Sequence, residues 1–185
     1  MKTRSLLFLL LTVLVASSAF AVDVDGVIAK DEYSGETTMI DNSFRFLWKV
    51  EGDRIFFAID AVSPGWVAVG FDPGTIMSKA DMVFGIVSAN GDVKAVDAWS
   101  AGMFGPPRPD VDLGGKANVL TYAGKRNGDK VVFEFSRLLA AGDKFDKTLP
   151  ATGKVKLICA IGPNLDSTVK HRKTGKGTMD LGGAK

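Results

Sequence analysis

Cysteine and histidine each occur once, and these two shortages exclude several kinds of chemistry. A single thiol cannot close an internal disulfide, so the fold must be held by packing. With one imidazole and one thiolate, a structural zinc site of Cys and His ligands cannot be assembled. A blue-copper centre, which takes two histidines and a cysteine, fails on the same count. There is no CxxCH for covalent haem attachment, no GxSxG elbow and no glycine-rich phosphate loop. A Ser-His-Asp triad would have to be built on His171 without any local motif, so hydrolysis is not expected.

Long apolar runs are also missing, except near the start. Residues 1–21 read as a signal peptide, with Lys2 and Arg4 followed by an apolar run from Leu6 to Val15 and a small-x-small site at Ala19-Phe20-Ala21. That run is too short to span a bilayer, and no later stretch approaches the roughly 18 apolar residues a transmembrane helix takes. The expectation is an exported protein, periplasmic or secreted, with no membrane span after cleavage. The only cysteine, Cys159, is far from the leader, which argues against a lipid anchor. Residues 22–185 are of a size for one domain. Without Lys2 and Arg4, the remaining bases of the 23 just balance the 21 acids, so nothing supports a nucleic-acid partner.

What is present is alternation. In FRFLWKV, Phe44, Phe46, Trp48 and Val50 share one face while Arg45 and Lys49 take the other. RIFFAID repeats the pattern with Ile55, Phe57 and Ile59, KVVFEF with Val131, Phe133 and Phe135, and KVKLICAIG with Val155, Leu157, Cys159 and Ile161. Gly52-Asp53, Asn90-Gly91-Asp92 and Asn127-Gly128-Asp129 supply hairpin turns. GWVAVGF is more continuously apolar, as a central strand would be, and ADMVFGIVS reads as its neighbour. Only SRLLAAGDKFD, near residues 136–146, reads as a short helix. Closely spaced strands with few helices predict an all-β antiparallel sandwich. The Pro/Gly-rich stretch 101–115 is a long loop, a common place for function on a rigid scaffold.

The chemistry left to such a chain is a noncovalent haem held by one Met and one His, or an oxygen-rich cation site drawn from Asp72, Asp81, Asp97, Asp110 and Asp112. Met77 stands among Thr75, Ser78 and Lys79, on a polar loop rather than a strand face, whereas Met82 falls inside ADMVFGIV and is expected in the core. Trp66 also begins a buried-looking strand. His171 is flanked by Lys170, Arg172 and Lys173, which form a solvated face or meet acidic groups of a ligand or partner. Phe104, Pro106 and Pro107 are candidates for a wall over a ligand.

DGVIAKDEY, the Trp-bearing strand FRFLWKV, GWVAVGFDP and M-x-x-A-D-x-V-x-G, continuing through VDAWS, DVDLGG, FSRLLAAGDKFDKTL and HRKTGKGTMDL, together resemble the DOMON domain family from Val24 to Leu181. The resemblance implies an immunoglobulin-like β-sandwich that binds haem or sugars. Cytochrome-type members, such as the haem b domain of cellobiose dehydrogenase, hold b-type haem between a methionine on the loop after the GW strand and a histidine near the last strand. The matching positions are Met77 and His171. Iron with two protein ligands transfers electrons rather than activating oxygen, and a thioether raises its potential. The implied role is an exported haem b electron carrier serving an unidentified redox partner, and not an enzyme in its own right. The alternatives are a module binding a sugar or another small ligand without haem, and a structural or interaction module. Exposed aromatics such as Trp66 or Trp99 would favour sugar. Asp97 and Asp112 match recurrent acidic positions of the family, in turn or cation-binding roles.

Overall fold

The alternating segments form eleven strands in the computed structural model, which describes residues 21–140 and 142–182. The expected leader lies outside them except for its last residue, Ala21. In chain order the strands are β1 (Gly35–Met39), β2 (Phe44–Glu51), β3 (Arg54–Val62), β4 (Val67–Phe71), β5 (Ala80–Val87), β6 (Val93–Ser100), β7 (Arg108–Pro109), β8 (Thr121–Asn127), β9 (Lys130–Leu138), β10 (Lys154–Ile161) and β11 (Lys173–Asp180). A five-stranded sheet runs β1-β2-β3-β9-β8 and a six-stranded sheet β11-β10-β4-β5-β6-β7, with every pairing antiparallel. The two sheets pack as a sandwich, and GWVAVGF supplies the central β4, flanked by β10 and β5.

Local chemistry fixes the hairpins. Glu51 faces Arg54 across a Gly52-Asp53 loop, and Asn127 faces Lys130 across Gly128-Asp129. The first loop residue is a glycine at φ 63° in one and 60° in the other, a backbone conformation open to glycine at no steric cost.

Between the sheets, the inward parity of each strand carries the large side chains. Phe44, Phe46, Phe57, Phe71, Phe133 and Phe135 are all fully buried. Phe57 is the hub, with ring centroids 4.9 Å from Phe135, 5.1 Å from Phe71 and 5.3 Å from Phe46. Trp48, Leu157 and Cys159 join this cluster, and burial pushes the Cys159 thiol up to about 12, leaving it a small apolar filler. Where Phe133 crosses to the opposite sheet its ring occupies the space above Gly85. A Cβ there would stand 2.4 Å from the ring, so only glycine fits.

Among the described residues the short helix expected around residues 136–146 does not form. Ser136, Arg137 and Leu138 continue β9 and pair with Phe56, Ile55 and Arg54, after which the chain bends into a loop. A helix of so few residues is marginal by itself, and the strand extension gains a full set of cross-strand bonds. Arg137, 2% exposed, also gains a buried carboxylate partner in Asp81, at 2.5 Å.

The outer face of the five-stranded sheet is covered by the N-terminal segment. Glu134 on β9, fully buried, accepts from the Tyr33 hydroxyl at 2.6 Å, from Gly26 N at 2.6 Å and from Asp25 N at 3.2 Å. Each donor compensates part of the cost of burying that carboxyl.

Candidate functional site

The outer face of the six-stranded sheet is also apolar. Register places Lys176, Ile158, Gly70, Met82 and Ala98 in one row across β11, β10, β4, β5 and β6, and Thr174, Ala160, Ala68, Phe84 and Val96 in the next. Trp66, Ala68, Ala80, Met82, Phe84, Ala98 and Ala160 form a second buried cluster, separate from the one between the sheets. Most of these residues are small. At Gly70 an added Cβ would come within 2.8 Å of Ile158 and 3.2 Å of Met82, so the missing side chain lets those two close over the strand.

Two adjoining cavities lie on this face, of about 360 and 520 Å³, within the range of small-molecule sites. They share Met77, Met82, Phe104, Ala160, Lys170 and His171. Met77 arrives on the β4–β5 loop, which is held by Gly74 N to Ser78 O at 2.7 Å and Lys79 N to Ser100 O at 2.6 Å. Ile76 and Lys79 sit at φ 58° and 57°, conformations that side chains rarely adopt and that give the loop its sharp turns. His171 arrives on the β10–β11 connection, which is tied back by Arg172 N to Ile161 O at 2.7 Å. Both residues are half-buried. Phe104, Gly105, Pro106 and Pro107 of the long loop wall the smaller cavity. A larger, more open hollow of about 820 Å³ lies against the N-terminal segment and β8; it is lined by groups such as Arg45, Asp60 and Arg126 and contains none of the candidate ligand residues Met77, His171, Phe104 or the five aspartates.

Two residues expected between the sheets belong here instead. Met82 and Trp66 are buried, at 5% and 3% exposure, but on the outer face with Phe84, where both line a cavity. Period two puts Met82, Phe84 and Ile86 on one face of β5 and Asp81, Val83 and Val87 on the other. The sequence does not reveal which of two apolar faces meets the second sheet. Trp66 stacks edge-on to Phe84 at 5.1 Å, and its indole N–H is buried without a partner. Trp99 is elsewhere, beside Phe145 and beneath the Lys147 ammonium.

A second assembly lies near the β5–β6 edge, on the inward parity. Of the five aspartates named from the sequence, Asp81, Asp97 and Asp110 are buried and come together with Asp146, which the helical reading of its segment had hidden. Asp72 and Asp112 are exposed and stand apart. Burial, reinforced by the neighbouring carboxylates, pushes the Asp97 carboxyl up to about 7 and that of Asp110 up to about 8.

An antiparallel sandwich with an apolar, ligand-sized hollow on the outer face of one sheet is the class that the geometry defines. A family model described as DOMON domain matches residues 40–162, and the chain belongs to the DOMON domain family. Among solved structures, the cytochrome b domain of pyranose dehydrogenase from Coprinopsis cinerea is similar at 13% identity and a TM-score of 0.56, over 77% of this chain and 78% of that one. The cytochrome domain of Myriococcum thermophilum cellobiose dehydrogenase matches at 10% identity and TM-score 0.48, over 75% and 74%. A family 9 carbohydrate binding module from Caldicellulosiruptor kristjanssonii, in complex with cellotriose, matches at 12% and 0.40, over 83% and 80%. At 13% identity the likeness to the pyranose dehydrogenase domain is one of fold alone. No curated protein matches the chain. Among the described residues no helix is long and apolar enough to cross a membrane.

Proposed function

We propose that the protein is an exported haem b electron carrier, with His171 and Met77 as the two ligands to iron. The observation that supports this most directly is that the chain's only histidine and a loop methionine, on different connections, line the same pair of cavities. The lining suits a flat apolar macrocycle bearing carboxylates. Ala160 lines both hollows with a single methyl, Phe84 and Phe104 wall the smaller one, and Lys170 offers a cation to an anionic edge. The same lining suits a sugar poorly, because the smaller cavity has no Asp, Glu, Asn or Gln side chain to bond hydroxyls. Haem held there would pass one electron at a time between ferric and ferrous iron. His171 would contribute an imidazole nitrogen and Met77 a soft thioether that favours the ferrous state.

Purified protein supplied with haem is the test, and the expected result is the sharp reduced bands of a six-coordinate low-spin b-type centre. His171→Ala should largely abolish haem retention. Met77→Ala should keep haem but lower its reduction potential. Failure of the wild type to take up haem, together with a rise in Tm on adding an oligosaccharide, would replace this reading with a sugar-binding module. An unchanged spectrum in the His171 variant would overturn the ligand assignment alone.

A further inference from the structure

Buried carboxylates in this molecule are treated in two ways. Glu134 is fully bonded, with three donors on its two oxygens. In the acidic cluster, by contrast, each side chain keeps at least one oxygen free. Asp81 Oδ2 accepts from Arg137 and from Lys147 N at 2.8 Å, Asp97 Oδ2 from Asn118 N at 2.7 Å, and Asp146 Oδ2 from Asn118 Nδ2 at 2.6 Å and Asp143 N at 2.9 Å. The other oxygen of each, Oδ1, is buried with no hydrogen-bond partner, and on Asp110, at 0% exposure, both oxygens are. Arg137 approaches Asp146 Oδ1 at 3.8 Å, which is too long for a hydrogen bond.

Five orphaned carboxylate oxygens in one place are costly to bury unless something positive meets them. The side chains also fall into two overlapping groups, each close enough for one ion to bridge. Asp81, Asp97 and Asp146 each present an oxygen within 4.8 Å of the others, and Asp110, Asp143 and Asp146 do the same, so the two groups share Asp146. Two oxygens bound to one Ca²⁺ at about 2.4 Å stand at most about 4.8 Å apart. The bonded oxygen of Asp81, Asp97 and Asp146 orients each carboxylate, as outer-shell partners orient metal ligands.

The geometry points to a divalent cation site, best fitted to Ca²⁺, built from the free oxygens of Asp81, Asp97, Asp110 and Asp146. The donors are all oxygens, which excludes the thiolate and imidazole metals. A crowd of carboxylates with one able to bind through both oxygens suits the larger, more flexible shell of Ca²⁺ better than the strict octahedron of Mg²⁺. The ion would pin four separate pieces of chain: the start of β5, β6 at Asp97, the 3₁₀ turn Asp110–Leu113 and the loop after β9. Asp81 precedes Met82, and the 3₁₀ turn follows the Pro106-Pro107 wall, so this clamp would steady the rim of the apolar cavity from behind.

The test uses the full-length chain without added haem, so it is independent of the electron-carrier proposal. After metal depletion, millimolar CaCl₂ should raise Tm by several degrees and titrate calorimetrically with a stoichiometry near one, and EGTA should reverse both effects. Asp110→Asn, which removes the charge but keeps the shape, should abolish the calcium response without lowering the metal-free Tm. Asp112→Asn, an exposed neighbour on the same turn, should keep the response. The proposal is overturned if the depleted wild type gives neither heat nor a Tm rise, if Asp110→Asn responds like the wild type, or if Mg²⁺ reproduces the full calcium effect in every variant.

Discussion

The two faces of the six-stranded sheet obey the same alternation and are both apolar, yet one is filled and the other hollow. Inward, Val67, Val69 and Phe71 of β4 press into a cluster with five further phenylalanines. Outward, Ala68 and Gly70 of β4 and Trp66 just before it face the other way, and neighbouring strands add Ala80, Ala98 and Ala160. Burial alone therefore does not identify a core. Side-chain volume separates the two faces: large groups close the inner layer to crystal-like density, and small groups next to two or three large ones leave a hollow.

Substitutions of one kind should therefore separate stability from binding. Phe57→Ala removes the hub of the inner cluster and should cost about 3–5 kcal/mol in urea unfolding, while the folded fraction still takes up haem. A loss below about 1 kcal/mol would mean that the inner layer can collapse around the gap. Met82→Ala should cost about 2 kcal/mol, because one side of the side chain already borders a cavity. Unlike a core variant, it should also shift the spectrum or potential of bound haem, whereas an unchanged haem site would return Met82 to a purely structural role. Ala160→Leu should change stability least, by less than about 1 kcal/mol, since the larger side chain grows into open space shared by both cavities. Its effect should fall on haem retention, measured by absorbance after gel filtration, and retention equal to wild type would show that the ligand lies elsewhere.

Much of this was legible in the chain itself. FRFLWKV, RIFFAID, KVVFEF and KVKLICAIG are strands whose marked faces are buried, with Val50 only partly so, the Gly-Asp turns are where the chain reverses, and Met77 and His171 stood out by type and neighbourhood before either had a position. These features were readable because alternation and turn chemistry act over a few residues. SRLLAAGDKFD misled because its local helical pattern competes with a strand extension whose partners, Arg54 to Phe56, lie far away in sequence.

The sequence by itself determined an all-β chain, its parities, and an inventory with room for one imidazole and a thioether but for no disulfide or thiolate metal site. Only the tertiary structure decided which apolar parity of β4 and β5 meets the other sheet, and so that Met82 and Trp66 line a hollow instead of filling a core. It also gathered Asp81, Asp97, Asp110 and Asp146 from four separate segments while leaving Asp72 and Asp112 in solvent. The physical reason is the same in both cases. Period two says that residues share a face, but the partner of that face is set by sheet packing and loop closure between distant segments, which no local pattern encodes.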